Sequence, residues 1–168
     1  MQETYNVLSN LPDHSRVWLY QSNRLLTSDE QDAIKKAASG FVAEWNAHGA
    51  QLKAGFDIVE NCFLILAVDE QQAAASGCSI DKSVAFFRQV DEQLGLDLFD
   101  RFNVAFFNTN GQLELAKLNG LEKFTDQSLI DDNCLVFDNL TNELGALRSS
   151  WLKPFKSSWH QQFLPKSV

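Results

Sequence analysis

The spacing of apolar positions predicts one fully buried strand and two amphipathic helices. Residues 63–68 form an unbroken apolar run, FLILAV, which is typical of a strand buried on both faces. After a polar loop, apolar side chains recur every three or four residues over 80–94, which predicts a helix. The same spacing over 33–45 predicts another helix, which begins at a capping box, Thr27–Glu30, and ends near residues 48–49.

The remaining patterns predict shorter strands, at residues 17–20, 56–59, 102–107, 113–118 and 134–137. Through residue 107 the order is strand, helix, strand, strand, helix, strand, which is the order of a ferredoxin-like sandwich. We therefore predict one α+β domain over residues 1–168. Its ferredoxin-like βαββαβ core covers about 15–108, and a C-terminal α/β extension at about 109–168 packs on the sheet.

In this arrangement we expect the first and third strands to be parallel neighbours, with both helices on one face of the sheet. The loops that follow these two strands would then share one edge, where the N-termini of both helices add partial positive charge. The predicted ligand-binding residues are the polar and small residues of these loops: Gln21, Ser22, Asn23, Arg24, Asp69, Ser76, Gly77, Cys78, Ser79 and Asp81. Arg24 would pair with an anion. The alternative stays open that Ser79 only caps the helix and that Arg24 neutralises Asp69, Glu70 or Asp81.

Cys78 is a candidate nucleophile because it lies in the first turn of a predicted helix, where the pKa of a thiol is lowered. A cysteine hydrolase or transferase also needs a general base. We place His14 and His48 at the opposite edge of the sheet, so His160 is the candidate base. Alternatively, Cys78 is a small, half-buried residue at the start of the helix.

Composition narrows the classes of partner. The 168 residues contain 14 Lys and Arg against 22 Asp and Glu, for a formal net charge of -8, which disfavours nucleic acid as a partner. We find neither a basic amphipathic helix, nor an apolar run long enough to span a bilayer, nor a signal peptide at the N-terminus. We therefore expect a cytoplasmic protein with no nucleic-acid or membrane partner.

The metal-ligating residue types do not form a recognisable site. Cys62, Cys78 and Cys134 are widely spaced and include no CxxC pair, which argues against a disulfide framework and a structural zinc. The carboxylates nearest the predicted edge are Asp57, Asp69, Glu70 and Asp81, and they match no calcium-loop or HExxH spacing. The sequence predicts no metal and no cofactor.

Four sequence blocks, SRVWLYQSNR (15–24), WNAHG (45–49), LAVDE (66–70) and SGCSID (76–81), together resemble a family of small bacterial proteins. Members of this family are mostly uncharacterised and often carry the label "ABC transporter ATPase". The resemblance implies no established activity and no catalytic residues. The label itself does not fit this sequence, because Ser76 and Asp81 stand where a P-loop needs its two glycines before Lys82 and Ser83. We therefore do not expect an ATPase.

These observations favour a non-catalytic cytoplasmic binding module for a small anionic ligand or a protein partner. A cysteine-dependent hydrolase or transferase that uses Cys78 is one alternative. The other is a protein-interaction domain that uses the C-terminal aromatic residues, which we expect to wrap the sheet: Trp151, Phe155, Trp159 and Phe163.

Overall fold

A computed structural model describes residues 4–166 as nine strands and four α-helices. The strands are β1 (Arg16–Gln21), β2 (Asn46–Ala47), β3 (Ala50–Gln51), β4 (Lys53–Val59), β5 (Phe63–Asp69), β6 (Asn103–Phe107), β7 (Leu113–Lys117), β8 (Leu135–Phe137) and β9 (Leu152–Pro154). The α-helices are α1 (Ser28–Glu44), α2 (Gly77–Leu94), α3 (Leu121–Asp126) and α4 (Leu144–Ser150). Short 3-10 turns lie at Leu118–Gly120, Phe155–Ser157 and Trp159–Phe163.

The two main sheets are both antiparallel. In the first sheet, β5 lies between β1 and β4, and Leu66 of β5 is opposite Trp18 and Phe56. In the second sheet the order is β7, β6, β8, β9. The chain therefore places strands from its first half in one sheet and strands from its second half in the other.

Alternate residues of β5 belong to two different apolar clusters. Leu64, Leu66 and Val68 pack against side chains of α1 and α2, including Ile34 and Phe87. The opposite face of β5 packs against the second sheet and α4: Phe63, Ile65 and Ala67 lie with Ala105, Phe137, Leu147 and Trp151. The prediction that β5 is buried on both faces is confirmed, as is the prediction that both helices cover one face.

A third cluster covers the far face of the second sheet. Phe106 and Val136 pack there against Phe124 of α3 and against Phe155. The molecule is therefore layered: helices, first sheet, second sheet, and then α3 with the C-terminal 3-10 turns. Of the four C-terminal aromatic residues that we expected to cover the first sheet, Trp151 does so. The expectation is wrong for the other three, because Phe155 and Trp159 lie in the third cluster and Phe163 packs against Trp159.

Local sequence signals define the ends of the long helices. The Thr27 side chain accepts a hydrogen bond from the Glu30 N–H, and Glu30 accepts one from the Thr27 N–H, which confirms the capping box. Helix α2 ends at Gly95 in the left-handed conformation. Helix α1 ends at Glu44, before the predicted end near residues 48–49, because His48 and Gly49 have positive φ and form the turn of a small β2–β3 hairpin.

The α+β class is confirmed, but the ferredoxin-like topology is not. The prediction that the first and third strands are parallel is wrong: β1 and β5 are neighbours but antiparallel, which is also the orientation that a ferredoxin-like sheet requires. Helix α1 makes β1 parallel to β4, and the tight β4–β5 turn then makes β5 antiparallel to both, as in a split βαβ unit. Strand β6 does not join this sheet and instead pairs with β7 and β8.

Candidate functional site

The two loops of the predicted edge site lie at opposite ends of the first sheet. Gln21 is opposite Phe63, at the start of β5, whereas Arg16 is opposite Val68, near the end of β5. The loop 21–24 is therefore one sheet length away from Asp69 and from the loop that leads into α2. The prediction that these residues share an edge is wrong, and its physical reason is the antiparallel orientation of β1.

Arg24 is engaged with a carboxylate of its own chain. Its guanidinium donates hydrogen bonds to both carboxylate oxygens of Glu30, at 2.9 and 2.8 Å, and another to the Leu94 carbonyl at 3.0 Å. The hydrogen bonds from Arg24 and then from the Thr27 N–H lower the pKa of Glu30 to about 2. Nearby, the Ser22 hydroxyl donates to the Arg24 carbonyl, and Asn23 is exposed. Arg24 therefore neutralises a carboxylate, but its partner is Glu30 and not Asp69, Glu70 or Asp81 as the alternative expected.

Asp69 lies at the other end of the sheet, beside His14 and Lys53. Its carboxylate accepts a hydrogen bond from the Gln71 N–H and lies 3.0 Å from His14 Nε2 and 3.8 Å from Lys53 Nζ. The Gln71 N–H and then His14 lower the pKa of Asp69. The expectation that His14 lies at the edge opposite Asp69 is wrong, again because β1 and β5 are antiparallel.

The loop that opens α2 caps that helix. The Ser76 side chain accepts a hydrogen bond from the Ser79 N–H at 3.2 Å, and the Ser79 hydroxyl donates to the Ser76 carbonyl at 2.8 Å. The indole N–H of Trp45 donates to the Ser79 carbonyl at 2.8 Å. Gly77, Cys78 and Asp81 are exposed. The N-cap of α2 is therefore Ser76, and Ser79 is the residue whose N–H is capped, so the alternative that Ser79 itself caps the helix is wrong. The binding role of this loop stays a prediction.

The structure does not bring Cys78 and His160 together. Cys78 begins α2, on the helical side of the first sheet. His160 is 1% exposed, stacks on Trp159 at 3.8 Å, and interacts through Nδ1 with the Ser158 hydroxyl. Both aromatic neighbours of His160, Trp159 and Phe155, belong to the cluster on the far face of the second sheet. Burial lowers the pKa of His160 to about 4, so its ring is neutral near pH 7.

A cleft with a volume of about 780 Å³ lies beside β1. Its walls are residues 17–21, 98–103 and 139–142, with Val84, Arg88, Leu118 and Trp159 from neighbouring elements. We call it the β1 cleft. Its volume is in the range of small-molecule binding sites. Two large apolar side chains of the wall are strongly exposed, Phe102 at 60% and Leu140 at 71%.

The β1 cleft contains two arginines without an acidic partner. Arg88 lies over the ring of Phe99, with its guanidinium carbon 4.2 Å from the ring centre. Within residues 4–166, neither Arg88 nor Arg101 forms an ion pair. The Asp100 carboxylate of the same wall is held by Lys117 at 2.6 Å. Lys117 also bonds the Asp97 carboxylate at 2.6 Å, so one ammonium serves two carboxylates, whereas the two arginines of the wall have no ion-pair partner among residues 4–166.

The side-chain amides of Gln21 and Asn139 bond to each other in the wall of the cleft, and one polar atom of each amide has no partner among the described residues. The Asn139 amide nitrogen donates to the Gln21 side-chain oxygen at 2.6 Å. The Gln21 nitrogen and the Asn139 oxygen are buried and have no hydrogen-bond partner among the described residues. If both amides are turned over, the pair still leaves one donor and one acceptor unused.

Part of the outer edge of β1 is unpaired. The Val17 N–H donates to the Asn142 carbonyl at 2.9 Å, so the backbone of Val17 points away from β5. Because backbone groups alternate along a strand, those of Leu19 and Gln21 point the same way. The Gln21 carbonyl accepts a hydrogen bond from the Asn103 side chain at 3.1 Å. No described residue pairs with the outward groups of Leu19.

Sequence reasoning missed the β1 cleft except for Gln21. Three separate segments form its walls, and each is an ordinary strand or loop on its own. One feature of the sequence pointed to this surface: a basic residue, Arg101, next to an aromatic residue, Phe102, within a largely apolar stretch.

Comparisons with known proteins return no match: no protein-family model fits the chain, no curated protein is similar in sequence, and no solved structure is similar in fold. Among the described residues, no helix has the length and apolar character needed to cross a bilayer. Residues 4–166 also contain no group of three or more His, Cys, Asp or Glu side chains placed to hold a metal ion.

Proposed function

We propose that the protein is a non-catalytic binding module, and that its β1 cleft binds an anionic ligand that also has an apolar part. One observation carries this proposal: Arg88 and Arg101 line an apolar cleft and have no acidic partner among residues 4–166. The expected cytoplasmic location is part of the proposal.

The apolar walls explain why the ligand should not be a simple inorganic anion. Tyr20 stacks on Phe87 at 4.2 Å, and burial raises its pKa to about 12 even though the Arg88 charge opposes the shift. This end of the cleft therefore has an aromatic wall beside the exposed Arg88 and Arg101 side chains. Arginine forms charge-assisted hydrogen bonds with carboxylates. An aromatic or aliphatic carboxylate matches both the charge and the walls.

The cysteine-enzyme alternative has less support. Cys78 is exposed, and His160 lies in a different layer of the molecule. A nucleophile needs its base within hydrogen-bond reach. The binding module requires no such pair.

The test measures binding of benzoate, phenylacetate and inorganic phosphate by the full chain, using chemical-shift changes in NMR spectra. We expect the two aromatic carboxylates to shift backbone signals of residues 17–21 and 98–103, and phosphate to bind at least tenfold more weakly. Arg88→Gln and Arg101→Gln should each weaken carboxylate binding about tenfold, as expected for loss of a charge-assisted hydrogen bond.

Arg16→Gln is the matched control, because Arg16 is also a surface arginine of this region but pairs with Glu70 at 3.8 Å near the other end of β1. This variant should bind the carboxylates normally. Equal binding by all three variants, or no binding of either carboxylate, would contradict the proposal.

A further inference from the structure

The outer edge of β1 is open because the strand that could cover it belongs to the other sheet. In a four-stranded split βαβ arrangement, the strand that follows the second helix pairs with the free edge of the first strand. Here that strand is β6, and it pairs with β7 and β8. Residues 142–143 cover the start of β1 through the Val17–Asn142 hydrogen bond and the bridge between Arg16 and Glu143.

The uncovered part is a short slot. Asn142 closes it at Val17, and the Asn103 side chain closes it at the Gln21 carbonyl. Between them lie the outward N–H and C=O of Leu19 and the outward N–H of Gln21. Because a strand rises about 3.3 Å per residue, this slot accepts an extended segment of roughly three or four residues. Backbone groups of this kind are normally paired, which makes them a template for another strand.

We propose that the β1 cleft binds the C-terminal segment of a protein partner as a short added strand, with its terminal carboxylate held by Arg88 and Arg101. This inference rests on the proposed function and specifies its ligand. Strand addition to a sheet edge is a general mode of peptide recognition, in which backbone hydrogen bonds supply affinity and side-chain pockets supply specificity.

The slot favours a chain end over an internal segment. An internal segment would continue beyond both ends of the slot, past Asn142 and past Asn103. A C-terminal segment continues beyond only one end. The positive charge also lies at one end of the slot. Arg101 is two residues before Asn103, which contacts Gln21. Arg88 lies over the Phe99 ring, whose centre is 5.4 Å from that of Tyr20, the residue before Gln21. A terminal carboxylate at this end makes the added segment run parallel to β1.

The cleft walls also fit the rest of a short peptide. The exposed rings and methyl groups of Phe102 and Leu140 offer an apolar surface for a side chain of the peptide.

The experiment uses two randomised hexapeptide pools that differ only at the C-terminus, which is a free acid in one pool and an amide in the other. Peptides selected by the purified full chain are resynthesised in both forms, and their Kd values are measured by fluorescence polarisation. We expect the free acids to bind at least tenfold more tightly than the amides. Arg88→Gln and Arg101→Gln should weaken the acids at least fivefold and change the amides less than twofold, whereas Arg16→Gln should change neither.

Hydrogen exchange at single amides tests the strand itself. A bound free-acid peptide should slow exchange of the Leu19 N–H at least tenfold, and N-methylation of the peptide bond that faces Leu19 should weaken binding at least tenfold. Unchanged Leu19 exchange, or equal Kd values for acids and amides, would overturn the inference.

The two proposals fail in distinguishable ways. If benzoate binds the β1 cleft but no free-acid peptide is selected, the C-terminal segment is excluded and the anionic site remains. If acidic side chains of amidated peptides bind as well as terminal carboxylates do, the C-terminal form is also wrong. If neither benzoate nor any peptide binds, both proposals are contradicted.

Discussion

The guanidinium of Arg24 binds both carboxylate oxygens of Glu30 and also the carbonyl of Leu94. Glu30 belongs to the first turn of α1, and Leu94 is the last residue of α2. One side chain therefore connects the start of one helix to the end of the other. Arg24, which we predicted from the sequence to bind an anion, therefore connects two helices in the fold.

Arg24→Ala should therefore affect stability and not ligand binding. We expect the midpoint of thermal unfolding to fall by about 2 °C, because a partly exposed ion pair contributes little. Benzoate binding should be unchanged. Arg101→Ala is the opposite case: it should leave the midpoint unchanged and weaken binding. Loss of benzoate binding in Arg24→Ala would instead support an anion site at the 21–24 loop.

His160 should make the protein less stable as the pH falls. Burial lowers its folded-state pKa from 6.5 to about 4, against the opposing charge of Asp138 and with a smaller contribution from Lys153. Between these two values the unfolded chain binds a proton that the folded protein does not, so the free energy of unfolding rises with pH over this window. The contribution is about 3 kcal/mol, present above pH 6.5 and lost as the pH approaches 4.

Urea unfolding at several pH values between 4 and 7 tests this expectation. His160→Gln should reduce the dependence of the unfolding free energy on pH, whatever its effect at pH 7. His48→Asn is the control, because His48 is exposed and has a positive φ that Asn also tolerates. A His160→Gln slope equal to that of the unsubstituted protein would exclude His160 as the source.

The three thiols should differ strongly in reactivity. Cys78 is exposed, whereas Cys62 and Cys134 are buried. Burial, together with the Glu60 charge, raises the pKa of Cys62, and burial raises that of Cys134. In native protein, a small disulfide reagent should label one thiol per chain rapidly and the other two only after unfolding.

Cys78→Ser should remove the rapid phase and leave the thermal midpoint unchanged. A rapid phase that persists in this variant would show that a buried thiol is accessible. Equally slow labelling of all three thiols in native protein would remove the candidate nucleophile of the enzyme hypothesis.

Two glycines should respond to alanine in opposite directions. A Cβ at Gly145 would lie 2.9 Å from the Asp13 Cβ and 3.2 Å from the Asp13 carbonyl oxygen, so Gly145→Ala should destabilise the fold by about 1–3 kcal/mol. A Cβ at Gly40 meets no atom within 4 Å, and Gly40 lies inside α1. Gly40→Ala should stabilise by about 0.5–1 kcal/mol. Urea unfolding measures both, and equal effects would contradict this difference in the space around the two glycines.

Periodicity and capping residues predicted the long helices and the buried strand β5. They did not predict strand direction, because an apolar run has the same pattern in a parallel and in an antiparallel pair. Direction follows from the connections, and the predicted helix between the first two strands, together with the short connection between residues 59 and 63, was sufficient to make β5 antiparallel to β1. The assignment of β6 to a second sheet depends on pairing with β7 and β8, which lie further along the chain.

The candidate site was harder to predict for the same reason. An edge site was inferred from strand direction, so the error in direction separated residues 21–24 from Asp69. The β1 cleft depends on three segments that meet only in the folded chain. Its two arginines became candidates because they have no ion-pair partner within residues 4–166. No local sequence pattern predicts which arginines lack a partner in the folded chain.

The position of β5 has a consequence for how the molecule opens. Both edges of β5 are paired, and its two faces belong to different apolar clusters. Separation of the helices from the first sheet would therefore expose one face of β5 to water, and separation of the second sheet would expose the other face. The chain should behave as a single cooperative unit, in which β5 amides exchange hydrogen only through global unfolding, while the edge strands β7 and β9 exchange through local fluctuations.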